Sequence, residues 1–431
     1  RGRGRSRRVR NARILLPVFI LIVIVNLATK SELLGRLIYL IAALLLLGAL
    51  WAWLNLRNVQ IVRQTRARRA QVGQYTDERF IVRNASRIPK LWLEVRDEST
   101  LPGHQASRVV SALGGKRQRG WQVRTFARRR GRYTLGPIAL SSGDPLGLYH
   151  FEKLLPATSS MVVYPATIDL PRFEPPIGQL VGGEALRLRT QVVTTNVAGI
   201  RDYVPGDAFN RIHWPSTARK DRLLVKQFEI DPTADIWLIL DMQRDVQVGE
   251  LATEDAPDEI LPALLENRQP RTVLAPTTEE YGVTVAASIA RHFLAQNRAV
   301  GLVTYGQDRE VVQLDRGERQ LNKILETLAV IRAVGRAPLE QVLTAEERLF
   351  GRNSIVIVIT PSSFEPWVPV LRELRRRGAH SVAVLIEAST FGPSPAALTV
   401  LSGLVASGIP TYMVKNGDSL DAALGQRASG P

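Results

Sequence analysis

The run Leu37–Leu56 (LIYLIAALLLLGALWAWLNL) is apolar over twenty residues. A helix rises 1.5 Å per residue, so about 20 residues cross a bilayer core of roughly 30 Å. This run therefore predicts a membrane span, with Trp51 and Trp53 near its end, where an interfacial aromatic belt sits. A second apolar run, Ile14–Ala28 (ILLPVFILIVIVNLA), precedes it and is shorter. An arginine-rich start ahead of a compact apolar run is also the pattern of a signal peptide, but no small-x-small cleavage site follows. The reading is a two-helix transmembrane hairpin over residues 1–56. The chain begins at Arg1 rather than methionine, which leaves room for residues upstream.

Charge orients the hairpin. Seven arginines and no acid stand in residues 1–13, and five more (Arg57, Arg63, Arg66, Arg68, Arg69) follow the second run. The link between the runs adds one net charge through Lys30, Glu32 and Arg36. These flanks hold thirteen of the seventeen net positive charges, and only +4 remains for the other 360 residues. Positive-inside bias then predicts both termini and the soluble part in the cytoplasm, in a multi-pass membrane protein with two spans. With the basicity confined to the flanks, composition gives little support for a nucleic-acid partner. Cysteine is absent, which excludes disulfides, thiolate metal sites and thiol nucleophiles.

Beyond the runs, residues 57–170 alternate with period two between turn residues, as in ERFIVRN (78–84), KLWLEVRDE (90–98), WQVRTFA (121–127), RYTLGPIAL (132–140) and SMVVYP (160–165). That pattern predicts a small antiparallel β-sandwich-like module. From residue 235 to 420, β-branched runs alternate with amphipathic helices. The strands are IWLILD (236–241), AVGLVTY (299–305), EVVQL (310–314), SIVIVIT (354–360), HSVAVLIE (380–387) and IPTYMV (409–414). Helices are expected at Glu279–Asn297 and Glu318–Arg332. Together they specify a doubly wound α/β domain whose sheet is buried on both faces. An acidic, proline-containing insertion at 249–278 interrupts it, and a tail is expected at 421–431. The whole chain reads as α+β and multidomain.

Residues 171–234 link the two modules and hold GIRDYVPGDAFNRIHWPSTARKDRLLVKQFE (199–229). Pro205-Gly206 signals a type II turn, and Asp207 is placed to start a short helix. Arg201, Arg211, Arg219 and Lys226 alternate with Tyr203, Trp214 and Phe228. Such interleaving can bind phosphate or a nucleic acid strand. It can equally brace a domain junction by stacking and by pairing with Asp202, Asp207 and Asp221, the role that composition favours.

The run R-x-Y-x-P-G-D, then R-x-x-W-x-x-[TS]-A-R, then L-x-V-K-x-[FY]-E resembles the signature of the bacterial domain of unknown function family 58. The matching residues are Arg201, Tyr203, Pro205, Gly206, Asp207, Arg211, Trp214, Thr217, Ala218, Arg219, Leu223, Val225, Lys226, Phe228 and Glu229. RRGRYTLGPIAL (129–140), GDPLGLY (143–149) and VVYP (162–165) are similar to that family too. The resemblance implies a von Willebrand factor A-like fold for the α/β domain. It also implies a role as membrane-bound adaptor to a cytoplasmic MoxR-type AAA+ ATPase in assembly or chaperone-like work, sometimes beside a transglutaminase-like membrane protein.

A von Willebrand A domain can hold Mg²⁺ through D-x-S-x-S after its first strand, a threonine from a later loop and an aspartate after its fourth strand. Here Asp241 leads, but Gln243 and Asp245 replace the hydroxyls, and Thr360-Pro361-Ser362-Ser363 lacks the late aspartate. The site is degenerate at Asp241, Gln243, Asp245, Thr360 and Ser362, so no metal or other cofactor is expected. Asp241 is expected to cap a helix or pair with Arg244.

No enzyme constellation emerges. The five histidines (His104, His150, His213, His292, His380) have no ligand spacing, and no G-x-S-x-G, P-loop or G-x-G-x-x-G is present. His292 is expected on an apolar helix face, and His213, beside Trp214, is the one to test for function. The expectation is a non-enzymatic interaction protein, docking its partner around Asp241–Asp245, Tyr305–Gly306 and Thr360–Ser363, where the carboxyl ends of the strands open. The alternatives are a metal-dependent adhesion-type domain and an enzyme acting on cell-envelope precursors.

Overall fold

The computed structural model describes residues 12–156, 158–173, 197–204, 212–228, 234–249, 274–352 and 354–428, with side chains for all of these except 12–15, 197–201 and 226–228. The chain is a mixed α and β protein that divides into two compact units, the first reaching to Ala166 and the second starting at Thr167.

The first unit opens with helices α1 (Ala12–Thr29) and α2 (Glu32–Leu56). By length and composition α2 can cross a membrane; the described apolar stretch Leu16–Thr29 of α1 falls short of that length. Most of α2 is open along its sides, but Gly48, Ala52, Asn55 and Leu56 are buried. They pack on the β module that follows. Lys90, itself buried, reaches back so that its ammonium donates to the Leu54 carbonyl at the helix end. A cation at a C-terminus answers both the free carbonyls and the helix dipole.

The module is built from β1 (Val59–Thr65), β2 (Arg69–Gln71), β3 (Tyr75–Asn84), β4 (Lys90–Asp97), β5 (Arg108–Leu113), β6 (Gln118–Phe126), β7 (Gly131–Leu135), β8 (Ile138–Gly143), β9 (His150–Leu155) and β10 (Ser159–Tyr164). Antiparallel sheets of order β1-β3-β6 and β5-β4-β8-β9 share one core. Residues Thr76 through Asn84 of β3 bury every second side chain, as a half-buried strand requires. Phe80 stacks on Trp121 at 5.4 Å in that core. A third sheet, β2-β10-β7, closes a smaller core around Leu135, Met161 and Val163. The single strand expected at 132–140 is two, broken at a cis Gly136–Pro137 bond.

In the second unit a six-stranded sheet has the order β15-β14-β13-β16-β17-β18. Its strands are β13 (Ile236–Leu240), β14 (Val300–Tyr305), β15 (Arg309–Asp315), β16 (Ile355–Thr360), β17 (His380–Ile386) and β18 (Thr411–Val414). All neighbours run parallel except β14 and β15. Strands β13 and β16 are buried at every residue, the mark of a sheet covered on both faces. One face receives α4 (Thr278–Ala295), whose Gly282 lets the helix approach Leu240, Ile359 and Ile386. The other receives α6 (Leu339–Ala345), α7 (Trp367–Arg376) and α8 (Leu398–Ala406) over Trp237, Ile239, Val356 and Val358. Helix α5 (Gly317–Val330) follows β15. Gly301 is where the Trp237 indole lies: a Cβ there would sit 2.6 Å from the ring.

Two boundaries expected from sequence move. Residues 167–170, placed with the β module, run along α4 instead: Ile168 N–H donates to Ser288 Oγ at 3.0 Å and Arg291 pairs with Asp169 at 2.9 Å. Phe173, fully buried, packs on Phe293 and Tyr412. The tail expected from 421 begins as helix α9 (Leu420–Gly425), because Leu420 and Leu424, one turn apart, are both buried against β18.

Candidate functional site

Strands β13, β14 and β16 end side by side, with Leu240 opposite both Thr304 and Ile359. The loops leaving them gather on one edge of the sheet, so the three segments expected to form a docking face are neighbours. Asp241, the first residue past β13, is 5% exposed. Its Oδ1 accepts the Gln243 N–H at 3.0 Å, and its Oδ2 accepts the Thr360 hydroxyl at 2.7 Å. Thr360 Oγ1 accepts in turn from the Ser362 N–H at 2.9 Å, and Ser362 Oγ accepts the Phe364 N–H at 3.3 Å. The expected helix cap or Arg244 pair is therefore not what Asp241 makes; it closes its own turn and ties β13 to β16. Burial pushes its carboxyl up to about 6, against the opposing pull of the Thr360 and Gln243 hydrogen bonds, and the nearby Glu340 carboxylate adds to the rise. Asp245 stands exposed on the short 3-10 turn Arg244–Val246.

This donor set does not fit a hard divalent cation. Such an ion takes about six oxygens in near-octahedral array. Here both Asp241 oxygens and the Thr360 hydroxyl are already bonded to one another or to backbone, and no group of three acids or histidines suited to a metal occurs among the described residues.

A fourth loop, between α5 and α6, completes the edge and was not anticipated. Its Gly335 donates to the Met242 carbonyl at 3.0 Å and accepts from the Arg244 N–H at 2.9 Å. A Cβ at Gly335 would lie 2.1 Å from the Tyr305 carbonyl oxygen, so only glycine allows this approach. Glu279 of α4 anchors the loop, accepting from the Ala333 N–H and pairing with Arg332. The sequence signal was the small-residue run RAVGRAP (332–338), where the α5 pattern was extended too far. Beside it, Glu346 is buried and accepts Tyr305 OH at 2.5 Å and Arg309 at 2.6 and 2.9 Å. The Arg309 bond leads in holding the Glu346 carboxyl below its ordinary value, while burial and the same carboxylate raise the Tyr305 phenol. Around these closed polar groups the rim exposes two large apolar side chains, Val334 (51%) and Phe364 (63%).

The signature segment forms a separate small element. Strands β11 (Val197–Asp202) and β12 (Leu224–Phe228) pair antiparallel, with α3 (Trp214–Lys220) between them. Ile212, Leu224 and Val225 are buried. Thr217 Oγ1 accepts the Leu224 N–H at 3.1 Å, which explains a hydroxyl at that position of the signature. His213 meets Ser216 Oγ at 2.7 Å across the first turn of α3. Trp214 is 62% exposed, and Ala218 and Arg219 are exposed too; Asp202 pairs with Arg222 at the surface. Pro205, Gly206, Asp207, Arg211 and Glu229, and the side chains of Arg201 and Lys226, lie outside the described residues.

Against known families, the one described as "Protein of unknown function DUF58" matches residues 199–258. That stretch of the chain is similar to the DUF58 family. The "Uncharacterized protein YeaD" of Bacillus subtilis (strain 168) is 22% identical over 331 residues, covering 74% of this chain and 73% of that protein. Among solved structures, proximal thread matrix protein 1 from the mussel byssus is 14% identical with a TM-score of 0.29, covering 44% of this chain and 46% of its own. The open conformation of the pilus adhesin SpaC from Lactobacillus rhamnosus GG is 9% identical with a TM-score of 0.29, covering 45% of this chain and 29% of its own. The chain thus spans less than half of either structure, and the likeness carries no argument. The DUF58 match contains the signature element, β13 and Asp241 through Asp245; Thr360 and Ser362 lie beyond it.

The remaining histidines are dispersed. His292, expected on an apolar helix face, is only half-buried and packs edge-on against Phe173; burial lowers its pKa. His104 belongs to an ionic cluster inside the β module. There Arg63 bonds Glu78 at 2.7 Å and Asp97 at 3.1 Å, and His104 Nε2 lies 3.0 Å from Asp97.

Proposed function

We propose that this protein is a membrane-anchored, non-enzymatic adaptor that docks a cytoplasmic MoxR-type AAA+ ATPase through its α/β unit. The length and apolar character of α2 support the anchor. We read α1 as a second span, and the arginine-rich flanks as the cytoplasmic side, so that both soluble units face the ATPase. The strand order, with one antiparallel edge beside five parallel strands and helices on both faces, supports a von Willebrand A-like reading of the second unit. A transglutaminase-like membrane protein is a further partner implied by the family resemblance.

The observation that carries the adaptor reading is the closed polar chain at the strand ends. Asp241, Thr360 and Ser362 satisfy one another, whereas a general base or nucleophile needs an open face toward substrate. What the rim offers outward is Val334 and Phe364, apolar groups of the kind that anchor an interface core. The test is capture of a MoxR-type ATPase from the same cell by the detergent-solubilised chain, with and without ATP. ATP-dependent capture that Phe364→Glu and Val334→Glu both weaken is expected. Absence of any ATP-dependent association refutes the reading.

A further inference from the structure

The β module meets the membrane helix well before that helix ends. Gly48 of α2 is buried, and a Cβ there would touch the Tyr149 ring at 3.4 Å and Asp144 Oδ2 at 3.6 Å. Both residues belong to the turn Asp144–Tyr149 that joins β8 to β9. Gly48 lies three residues N-terminal to Trp51, about 5 Å along the axis at 1.5 Å per residue. From the helix end at Leu56 the distance is about 12 Å by the same rise. If Trp51 and Trp53 mark the headgroup level, the turn stands on the bilayer side of it.

The turn is made for such a place. A polypeptide loop entering lipid must satisfy its own backbone donors, because no water is there to do so. Asp144 provides this: its Oδ2 accepts the Leu146 N–H at 2.9 Å, its Oδ1 accepts the Tyr149 N–H at 2.5 Å, and its carbonyl accepts the Gly147 N–H at 3.1 Å. The carboxylate is itself buried beneath the tip. Outward the tip presents Pro145, Leu146 and Gly147, with Leu146 58% exposed. Gly147 takes φ +69°, the left-handed conformation that lets the turn close. Leu146 thus stands exposed at the tip of a hairpin that packs beside α2. If α2 spans a bilayer, lipid is the surface beside it.

We propose that the Asp144–Tyr149 turn is a second membrane contact, dipping Pro145 and Leu146 into the boundary between headgroups and acyl chains alongside α2. The turn thereby fixes the tilt and rotation of the β module on the bilayer surface, which a single helix cannot do. This inference rests on the reading of α2 as a span.

Because the chain has no cysteine, single-cysteine variants take a fluorescent label at one site only. Leu146→Cys, Leu44→Cys on an exposed flank of α2 and Val109→Cys on β5 are each labelled with an environment-sensitive nitrobenzoxadiazole. They are then reconstituted in phosphatidylethanolamine–phosphatidylglycerol vesicles with doxyl-labelled lipid. Blue-shifted emission and lipid quenching at both 146 and 44, with neither at 109, is the expected result. Quenching at 44 with a water-like probe at 146 overturns the inference and leaves the span intact. A water-like probe at 44 as well removes the span and the inference together.

Discussion

The raised carboxyl of Asp241 makes a pH-dependent contribution to the stability of the α/β unit, and its sign can be worked out. Its folded value of about 6 stands above the ordinary 3.8. Between those values the folded state keeps a proton that the unfolded chain releases, so stability falls as pH rises from about 4 to about 6. A difference of about two units at 1.36 kcal/mol each gives a penalty of about 3 kcal/mol, complete by pH 7. Asp241→Asn carries no charge at any pH and removes that penalty. It also removes an acceptor: the Thr360 hydroxyl, already receiving the Ser362 N–H, would face an amide donor and lose the partner for its own proton. That costs about 1 kcal/mol. The variant is therefore expected to be about 1–2 kcal/mol more stable than the parent at pH 7, and about 1 kcal/mol less stable near pH 4. Amide hydrogen exchange of peptides from β13 and β16, measured for both proteins from pH 4 to 8, reads the α/β unit alone, and intrinsic exchange cancels in the difference. A difference that stays constant across that range refutes the assignment of a raised carboxyl to Asp241.

Two further outcomes are expected. Arg63→Met leaves Glu78 and Asp97, each with a side chain 1% exposed, without their cation, and is expected to cost about 3–5 kcal/mol in urea unfolding of the β module. Burial works to raise the Asp97 carboxyl, but bonds from His104 and Ser99 and the Arg63 charge outweigh it and hold it below its ordinary value. Its contribution is therefore present above about pH 4 and lost as pH falls through the lower folded value, and the deficit of the variant should shrink at acid pH. Gly335→Ala forces a Cβ against the Tyr305 and Met242 carbonyls and is expected to lower stability by about 1–3 kcal/mol, read as reduced hydrogen-exchange protection of residues 331–338.

What the sequence reveals depends on how local the cause is. Strands β13, β14, β16 and β17 could be read directly because burial on both faces demands uninterrupted apolar residues, and Glu279–Asn297 because Tyr281, Val285, Ile289 and Phe293 recur by turns. Strands β1, β2, β5 and β9 lie outside the segments named from alternation. β9 (HFEKLL) carries no clean alternation, since it lies at a sheet edge against α2, and β5 bends at Ala112, which takes φ +52°. At the candidate site, Asp241, Thr360 and Ser362 were identifiable as a group because family resemblance aligned strand ends that lie 119 residues apart. Their closure on one another was not. Whether a carboxylate faces a cation or a neighbouring hydroxyl is decided by geometry between strands, which no spacing encodes. Gly335 was missed for the same reason: what makes it necessary is the Tyr305 carbonyl.

The closed site is also linked to the residues that flank the acidic insertion. Residues 250–273 lie outside the described residues, but Gln247 and Val248 before them are bonded to Thr278 after them. Thr278 N–H donates to the Val248 carbonyl at 2.9 Å, and Val248 N–H donates to Thr278 Oγ1 at 2.8 Å. Gln247 bridges from there to the site: its Oε1 accepts the Thr278 hydroxyl, and its Nε2 donates to the Asp241 carbonyl at 2.9 Å. The stem of the insertion is thus one hydrogen bond from the backbone of the residue that ties β13 to β16. The link runs through the side chains of Gln247 and Thr278 to the Asp241 backbone, so a change at the stem reaches a strand end in the middle of the sheet.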